Sequence, residues 1–410
     1  MNLPTGLLCA VWLAGIAGIL SLALAPLFAR LARRLRVVDM PRGRSIHTTP
    51  IPLLGGLAIL SSLILTTILH LAAAAWLSTR PDFLTAVFSD LQYNIPGLST
   101  TWGRLGVIFA GGVALAALGL ADDLWDLGVR SRLLAQVAVA IAVVALGIRP
   151  SLHFLPVPVG FAIAVVWLVG ITNSFNLIDG ADGLATGLAA ISSALLGITM
   201  CLTNHPCTAA LLFALCGACL GFLRYNWHPA QLFLGSSGSL FLGYILGATT
   251  LIATFMSGES VWLFPLLIPV LVLAVPLYDT TSVILIRLGL KQRIWEGDQR
   301  HFHHRLMRIG FSVRQCVAFM YLLALTFGAG GLLLAKTSLI PNLVVMGQAG
   351  VLIGMIVLME RVVGRVVGRG ISGPQPLPRE PAVSNPERLG GERESKAPSP
   401  DVPCGEPVRP

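Results

Sequence analysis

Long apolar blocks separated by short polar connections fill the chain from residue 5 to residue 360. Eleven blocks stand out, at 5–30, 51–77, 105–121, 133–149, 155–173, 184–203, 207–223, 238–256, 260–287, 315–335 and 338–360. Each approaches the roughly 17 to 25 residues that a helix needs to span a hydrocarbon core about 30 Å thick. The pattern predicts an all-α, polytopic integral membrane protein with about eleven transmembrane helices. The connection from Thr79 to Arg104 has room for a small surface helix. Beyond Ser372 the pattern stops, and ten prolines occupy the last 39 residues with almost no bulky apolar side chain among them. A segment of that composition cannot bury enough surface to fold. Residues 1–361 are therefore expected to form a membrane domain and residues 372–410 a disordered, proline-rich tail.

Charge orients the helices. The leader MNLPTG carries no basic residue, whereas Arg30, Arg33, Arg34 and Arg36 follow the first block, so the first helix is read as uncleaved with its N-terminus outside. Alternating from there, inward segments hold 24 of the 28 lysines and arginines, and only Arg80, Arg104, Arg149 and Lys336 face outward. Without the eight in the tail the ratio is still 16 to four, and the tail itself lies on the cytoplasmic side. The +9 net charge thus reads as membrane topology, not nucleic-acid binding. Composition agrees: 55% of the 410 residues are hydrophobic and 11% charged, against about 25% charged in ordinary soluble domains. Seven scattered cysteines imply no disulfide framework, and the CxxC of Cys216 and Cys219 reads as helix packing.

With this topology the unusual polar clusters all fall on the cytoplasmic side: Asp39 to Gly56, Gly119 to Arg132, the stretch opening at Asn173, Arg224 to Ser239, and Gly297 to Ser312. One-sided enrichment suits a membrane-embedded enzyme acting on a cytosolic substrate. A transporter needs polar groups near the midplane, and no inverted repeat is detectable. The deepest charged candidates, Asp279 and Glu360, sit close to predicted cytoplasmic ends.

Asp122 and Asp123 are adjacent carboxylates at a membrane boundary, which repel unless a cation or an arginine such as Arg130 or Arg132 lies between them. In NSFNLIDGADG, Asp179 and Asp182 stand three apart, and Gly180 and Gly183 follow them where a turn would want positive φ. Carboxylates so spaced can converge on one hard cation. An EF-hand is excluded because Ala190 occupies the position of its bidentate glutamate, and an Asx-rich turn between two helices is the alternative. Asn173 and Asn176 just ahead would be expensive at the membrane edge without partners. His301, His303 and His304 crowd into four residues beside Asp298, Arg300 and Arg305, which points to phosphate binding or proton transfer. Zinc is the weaker reading, since no cysteine lies nearby and basic neighbours oppose a cation. Arg44 and His47 precede PIPLLGG, whose paired glycines let the backbone pass close to a ligand or another helix. Acidic groups for a divalent metal, with histidines and arginines for anions, are the equipment of phosphoryl transfer.

GLADD, NSFNLIDGADGLA, YNWHPAQLFLG, DQRHFHHRL, RSIHTTPIPLLGG and PLYDT, in their order and separations, resemble the polyprenyl-phosphate N-acetylhexosamine-1-phosphate transferases over about residues 5 to 361. The resemblance implies transfer of a HexNAc 1-phosphate, GlcNAc foremost, from a UDP-amino-sugar to a polyprenyl phosphate such as undecaprenyl phosphate, releasing UMP and starting a cell-envelope glycan. It implies Mg²⁺, with Mn²⁺ as a substitute, a multi-pass protein of the bacterial inner membrane with its site on the cytoplasmic face, and a chain compatible with a homodimer. It makes Asp122, Asp123, His303 and His304 catalytic, and Asp122, Asp123, Asp179 and Asp182 metal ligands. It assigns Arg44, His47, Asn173, Asn176, Asp179, Asp182, Asn226, Asp298, Arg300 and His301 to substrate binding. One departure stands out. Where such proteins carry a metal-binding aspartate in FxGDxGS, this chain has Ser236, a weaker ligand for a hard cation. Either Asp179, Asp182 or water fills the place, or metal affinity is lower, or the chain is an impaired member acting as a binding or assembly subunit.

Overall fold

In the computed structural model the described residues are 3–41, 49–79, 95–150, 155–253, 264–292, 300–334 and 339–370. Thirteen α-helices account for nearly all of them. These are α1 (Leu3–Leu35), α2 (Gly55–Ser78), α3 (Ile95–Trp125), α4 (Val129–Ala145), α5 (Val157–Ile178), α6 (Leu184–Leu202) and α7 (Pro206–Asn226). Then come α8 (Gly235–Ile252), α9 (Ile268–Val272), α10 (Ala274–Gly289), α11 (Phe302–Arg308), α12 (Val313–Leu334) and α13 (Leu339–Gly370). The chain is an all-α polytopic membrane protein, because among the described residues nine helices are long and apolar enough to cross a bilayer. Two of the eleven expected runs are shorter helices: α4 has 17 residues, and the run at 260–287 is broken into a 3-10 turn, α9 and α10. Leu273 makes that break, a point at which hydropathy does not change. The third helix starts at Ile95, well before the apolar run at 105. Most of the connection expected to hold a surface helix, and all of the tail, lie outside the described residues.

In lipid, backbone groups must be satisfied within the segment, so the apolar side chains are free to face outward. Leu8, Trp12, Ile19, Val166, Ile340 and Val351 are among the large apolar residues on that outer surface. Inside, small and hydroxylated residues let helices approach. A Cβ on Gly56 would stand 2.1 Å from the Gly238 Cα, so α2 and α8 touch backbone to backbone. The paired glycines of PIPLLGG therefore serve helix packing, the second of the two roles considered. Ser62 Oγ donates to the Ala17 carbonyl at 2.6 Å between α2 and α1, and Trp167 Nε1 to Thr250 Oγ1 at 2.9 Å between α5 and α8.

The middle of the fold is α8, packed against α2, α3, α5 and α6, with all but Ser236 and Ile252 of its residues buried. Its spanning window has a mean hydropathy of 1.2, the lowest of the nine, against 2.3 for α1. At its N-terminal end a small antiparallel pair, β1 (Val38–Asp39) and β2 (Ile51–Pro52), joins in: Phe233 N–H donates to Pro52 O at 2.9 Å and Gly55 N–H to Phe233 O at 3.0 Å. The C-terminal ends of α3, α5 and α7 and the N-terminal ends of α6, α8 and α12 meet at this end of the bundle.

Candidate active site

Asp123, at the end of α3, reaches the start of α8. Its Oδ1 accepts the Ser236 N–H at 3.0 Å and its Oδ2 the Ser237 N–H at 3.4 Å, so the carboxylate caps that helix where its dipole is positive. Gly235 makes the approach possible. Its φ is +74°, and a Cβ there would meet the Leu53 carbonyl at 2.3 Å and Asp123 Oδ2 at 2.8 Å. Asp122 does something else: its Oδ2 pairs with Arg132 Nη1 of α4 at 2.6 Å. The two adjacent aspartates thus engage different partners, with arginine supplying the neutralisation that adjacency demands.

Asp179 terminates α5 and Asp182 sits in the turn before α6. Of the two glycines expected at positive φ, Gly183 adopts +77° and Gly180 does not. Gly180 is needed for space, since a Cβ there would lie 2.7 Å from His303 Nε2. Asp182 Oδ2 accepts from His228 Nδ1 at 2.7 Å and from the Ala230 N–H at 3.0 Å, tying the turn to the YNWHPA loop. Asp179 has no hydrogen bond or ion pair among the described residues. Burial, then the facing carboxylates Asp123 and Asp182, push its carboxyl up to about 8. Asn176 donates to Ser239 Oγ at 3.0 Å, next to Ser236.

The imidazoles arrive on α11. His303 is buried, and neither of its ring nitrogens has a hydrogen-bond partner among the described residues. Burial and the neighbouring His304, His301 and Arg305 hold it well below the ordinary histidine range, so it is neutral. Its ring stacks on His301 at 6.0 Å and lies 4.2 Å from His304. A buried polar group left bare calls for a partner. Here it lies against the aspartate turn. α12 braces the same surfaces: Tyr321 OH donates to Gly183 O at 2.5 Å and Arg314 Nη2 to His228 O at 3.3 Å.

Asp123, Asp179, Asp182, Asn176, Ser236 and His303 therefore come together, from four separate segments. Several expected residues do not join them. Asn173 bonds to Gln136 of α4 and to Val169 O at 2.8 Å, facing a helix seam. Asn226 is buried with both ends engaged, accepting from Thr186 Oγ1 at 2.8 Å and donating to Leu232 O at 3.0 Å, contacts that shape its loop. Arg305 turns to Glu360 of α13 at 3.0 Å and Ser282 of α10 at 2.6 Å. Arg300 donates to Gln292 at 2.7 Å in an exposed setting. Arg44, His47 and Asp298 lie outside the described residues. Two side chains were missed. His228 belongs to the quoted YNWHPA motif and partners Asp182. Asp279 of PLYDT, a deep charge in a motif that carries the resemblance but with no site role in the sequence reading, accepts from His301 Nδ1 at 2.9 Å. In each case the signal was a polar residue inside a motif already singled out.

The donor set fits a hard divalent cation. Among the described residues Asp179 has no hydrogen-bonding or ion-pairing partner, and it stands opposite two carboxylates, a repulsion that a cation would relieve. Among the described residues no three such side chains already converge at ligand distance.

The family model for glycosyl transferase family 4 matches residues 105–254. A Bacillus subtilis (strain 168) protein named "Probable undecaprenyl-phosphate N-acetylglucosaminyl 1-phosphate transferase" is 32% identical over 357 residues, covering 85% of this chain and 89% of that relative. The chain belongs to glycosyl transferase family 4. Relatives from other bacteria align over similar spans. The decaprenyl-phosphate N-acetylglucosaminephosphotransferase of Mycolicibacterium smegmatis is 30% identical, with 84% of this chain and 86% of that one covered. The undecaprenyl-phosphate alpha-N-acetylglucosaminyl 1-phosphate transferase of Escherichia coli K12 is 26% identical, with 78% and 82% covered. The family match runs from α3 to just past α8, and so takes in every acidic residue of the cluster but not α11.

Proposed function

We propose that the protein transfers N-acetylhexosamine 1-phosphate, with GlcNAc as the sugar, from a UDP-linked donor to a polyprenyl phosphate, releasing UMP at the cytoplasmic face of a bacterial inner membrane. The observation that carries this reading is the contact between His303 and the Asp179–Asp182 turn, opposite Asp123 at the head of α8. The names of the aligned relatives support the lipid acceptor and the sugar.

In the reaction an oxygen of the lipid phosphate bonds to the β-phosphorus of the donor, and the bond from that phosphorus to the bridging oxygen breaks, leaving UMP. Asp123 takes a proton from the lipid phosphate on Oδ2, whose contact to the Ser237 N–H, at 3.4 Å, is the longer of its two main-chain contacts. Neutral His303 offers one N–H to an oxygen of the pyrophosphate without competing as a cation. Asp182, fixed by His228 and Ala230, keeps the turn in place, and Asn176 steadies the start of α8. Mg²⁺ held by Asp179 with Asp123 or Asp182 would neutralise charge developing on the phosphate oxygens.

Purified protein given UDP-GlcNAc or UDP-GalNAc, undecaprenyl phosphate and Mg²⁺ should release UMP, with UDP-GlcNAc preferred. Absence of UMP from every pairing overturns the proposal. Ser236 favours one second reading, an impaired member that binds without turnover. Tight UDP-sugar binding with no turnover, even after Ser236→Asp, would select it.

A further inference from the structure

Asp279 is completely buried, although it is the one acidic residue of α10. A buried carboxylate is retained only where hydrogen bonds satisfy it. Both of its oxygens are spent on the first residues of α11: Oδ2 on His301 Nδ1 at 2.9 Å, and Oδ1 on the Phe302 N–H. Arg305, the nearest cation on α11, is engaged by Glu360 and Ser282. The carboxylate is thus committed to one task, holding the head of a seven-residue helix. By accepting from Nδ1 it fixes the His301 ring and its tautomer. That ring lies parallel to His303, 12° apart in plane, and His303 in turn rests on Gly180.

We propose that Asp279 is a positioning residue for the transfer reaction: through His301 and the Phe302 amide it sets where His303 stands against the aspartate turn. The role in turnover rests on the transferase reading above; the role in placing His303 does not.

Asp279→Asn tests it. The amide keeps an acceptor for the Phe302 N–H but presents a second donor, so it cannot satisfy both groups as the carboxylate does. In the detergent-purified full chain, modification of His303 by diethyl pyrocarbonate, followed by mass spectrometry, should become several-fold faster, roughly fivefold or more, while His70 on α2 reacts at its wild-type rate. The kcat should fall about 10- to 100-fold, the range seen when the hydrogen-bond partner that orients a metal-ligating histidine is removed. The KM for the UDP-sugar should stay within about threefold, since binding is not what is lost. His301→Ala should produce the same changes, and the double variant should be no worse than the more impaired single one, because both act through one ring.

A wild-type kcat with His303 still protected would overturn the proposal. So would losses that multiply in the double variant, or a rise in labelling at His70 as well, since either marks a merely structural residue. If Asp279→Asn does not accumulate, His301→Ala decides alone: unchanged His303 labelling refutes the chain of contacts. If wild-type protein turns over no donor, the transferase reading falls while the labelling still judges Asp279.

Discussion

The two sides of the site are held in different ways. The carboxylates ride at the ends of long spanning helices, and two of them are fixed by main-chain amides: Asp123 by Ser236 and Ser237, Asp182 by Ala230. The histidines ride on seven residues, α11, anchored through side chains: Asp279 and Ser282 on α10 and Glu360 on α13. Backbone donors at a packed helix end are hard to lose by substitution, whereas a single buried carboxylate is easily removed. The acidic side is therefore rigid and tolerant in its supports, and the imidazole side is the one that second-layer changes displace.

The largest effect is expected where the rigid side meets its charge. Asp179→Asn should lower kcat by about 10²- to 10⁴-fold, as losing a catalytic carboxylate does. It should also abolish stabilisation by Mg²⁺, which at a hundred times Kd is worth about 2.7 kcal/mol to a protein that binds it folded. UMP release and a thermal midpoint with and without Mg²⁺ measure both, and an undiminished Mg²⁺ effect would remove Asp179 from the metal site.

Next comes the seam between the two sides. Gly180→Ala places a Cβ 2.7 Å from His303 Nε2, so the ring must move. A displacement of about 1 Å can cost around 10²-fold in rate. Full activity in this variant would show that the contact is incidental.

How much of this was readable beforehand follows from the same contrast. Apolar run length is set by the bilayer, so the long helices were visible, whereas the break at Leu273 is concealed by an uninterrupted apolar run and the seven-residue α11 lies in no such run. Acidic motifs were visible because carboxylates are rare in such a chain. Their partners were not. Asn173 and Asn176 lie three residues apart on α5, about 60° around the axis, and that offset sends one to α4 and the other to α8. Asp279 lies 22 positions from His301, and nothing in either stretch announces their pairing.

Asn226 separates loop architecture from chemistry. Asn226→Ala should cost about 1–3 kcal/mol of stability by leaving Thr186 and Leu232 unpaired. A raised KM without a lowered thermal midpoint would return it to the substrate.

Protonation probes the imidazole side gently. Because burial depresses His303, the unfolded chain binds its proton more readily, so its contribution to stability is complete above about pH 6.5 and declines as pH falls below that. Thermal midpoints of wild type and His303→Gln between about pH 7 and 5 should show a steeper acid decline in wild type. Parallel curves would contradict it.

The smallest expected change is Ser236→Asp, a modest fall in the Mg²⁺ concentration giving half-maximal rate. Ser236 already stands within reach of Asp123, so the variant adds charge without moving the chain. An unchanged requirement would mean that Asp179 and Asp182 suffice.

The centre of the bundle carries a consequence for biogenesis. A translocon sorts each segment by its own affinity for lipid, and α8, polar at its head and glycine-rich along its length, is the weakest candidate among the nine for entering unaided. Its neighbours α3 and α5 emerge from the ribosome earlier and can offer it a protein surface in place of lipid. The acidic half of the candidate site is then completed only by the lateral arrival of one reluctant helix, ahead of the later-emerging α10 and α11, and variants that slow it would be seen by quality-control proteases before they were ever seen as inactive enzyme.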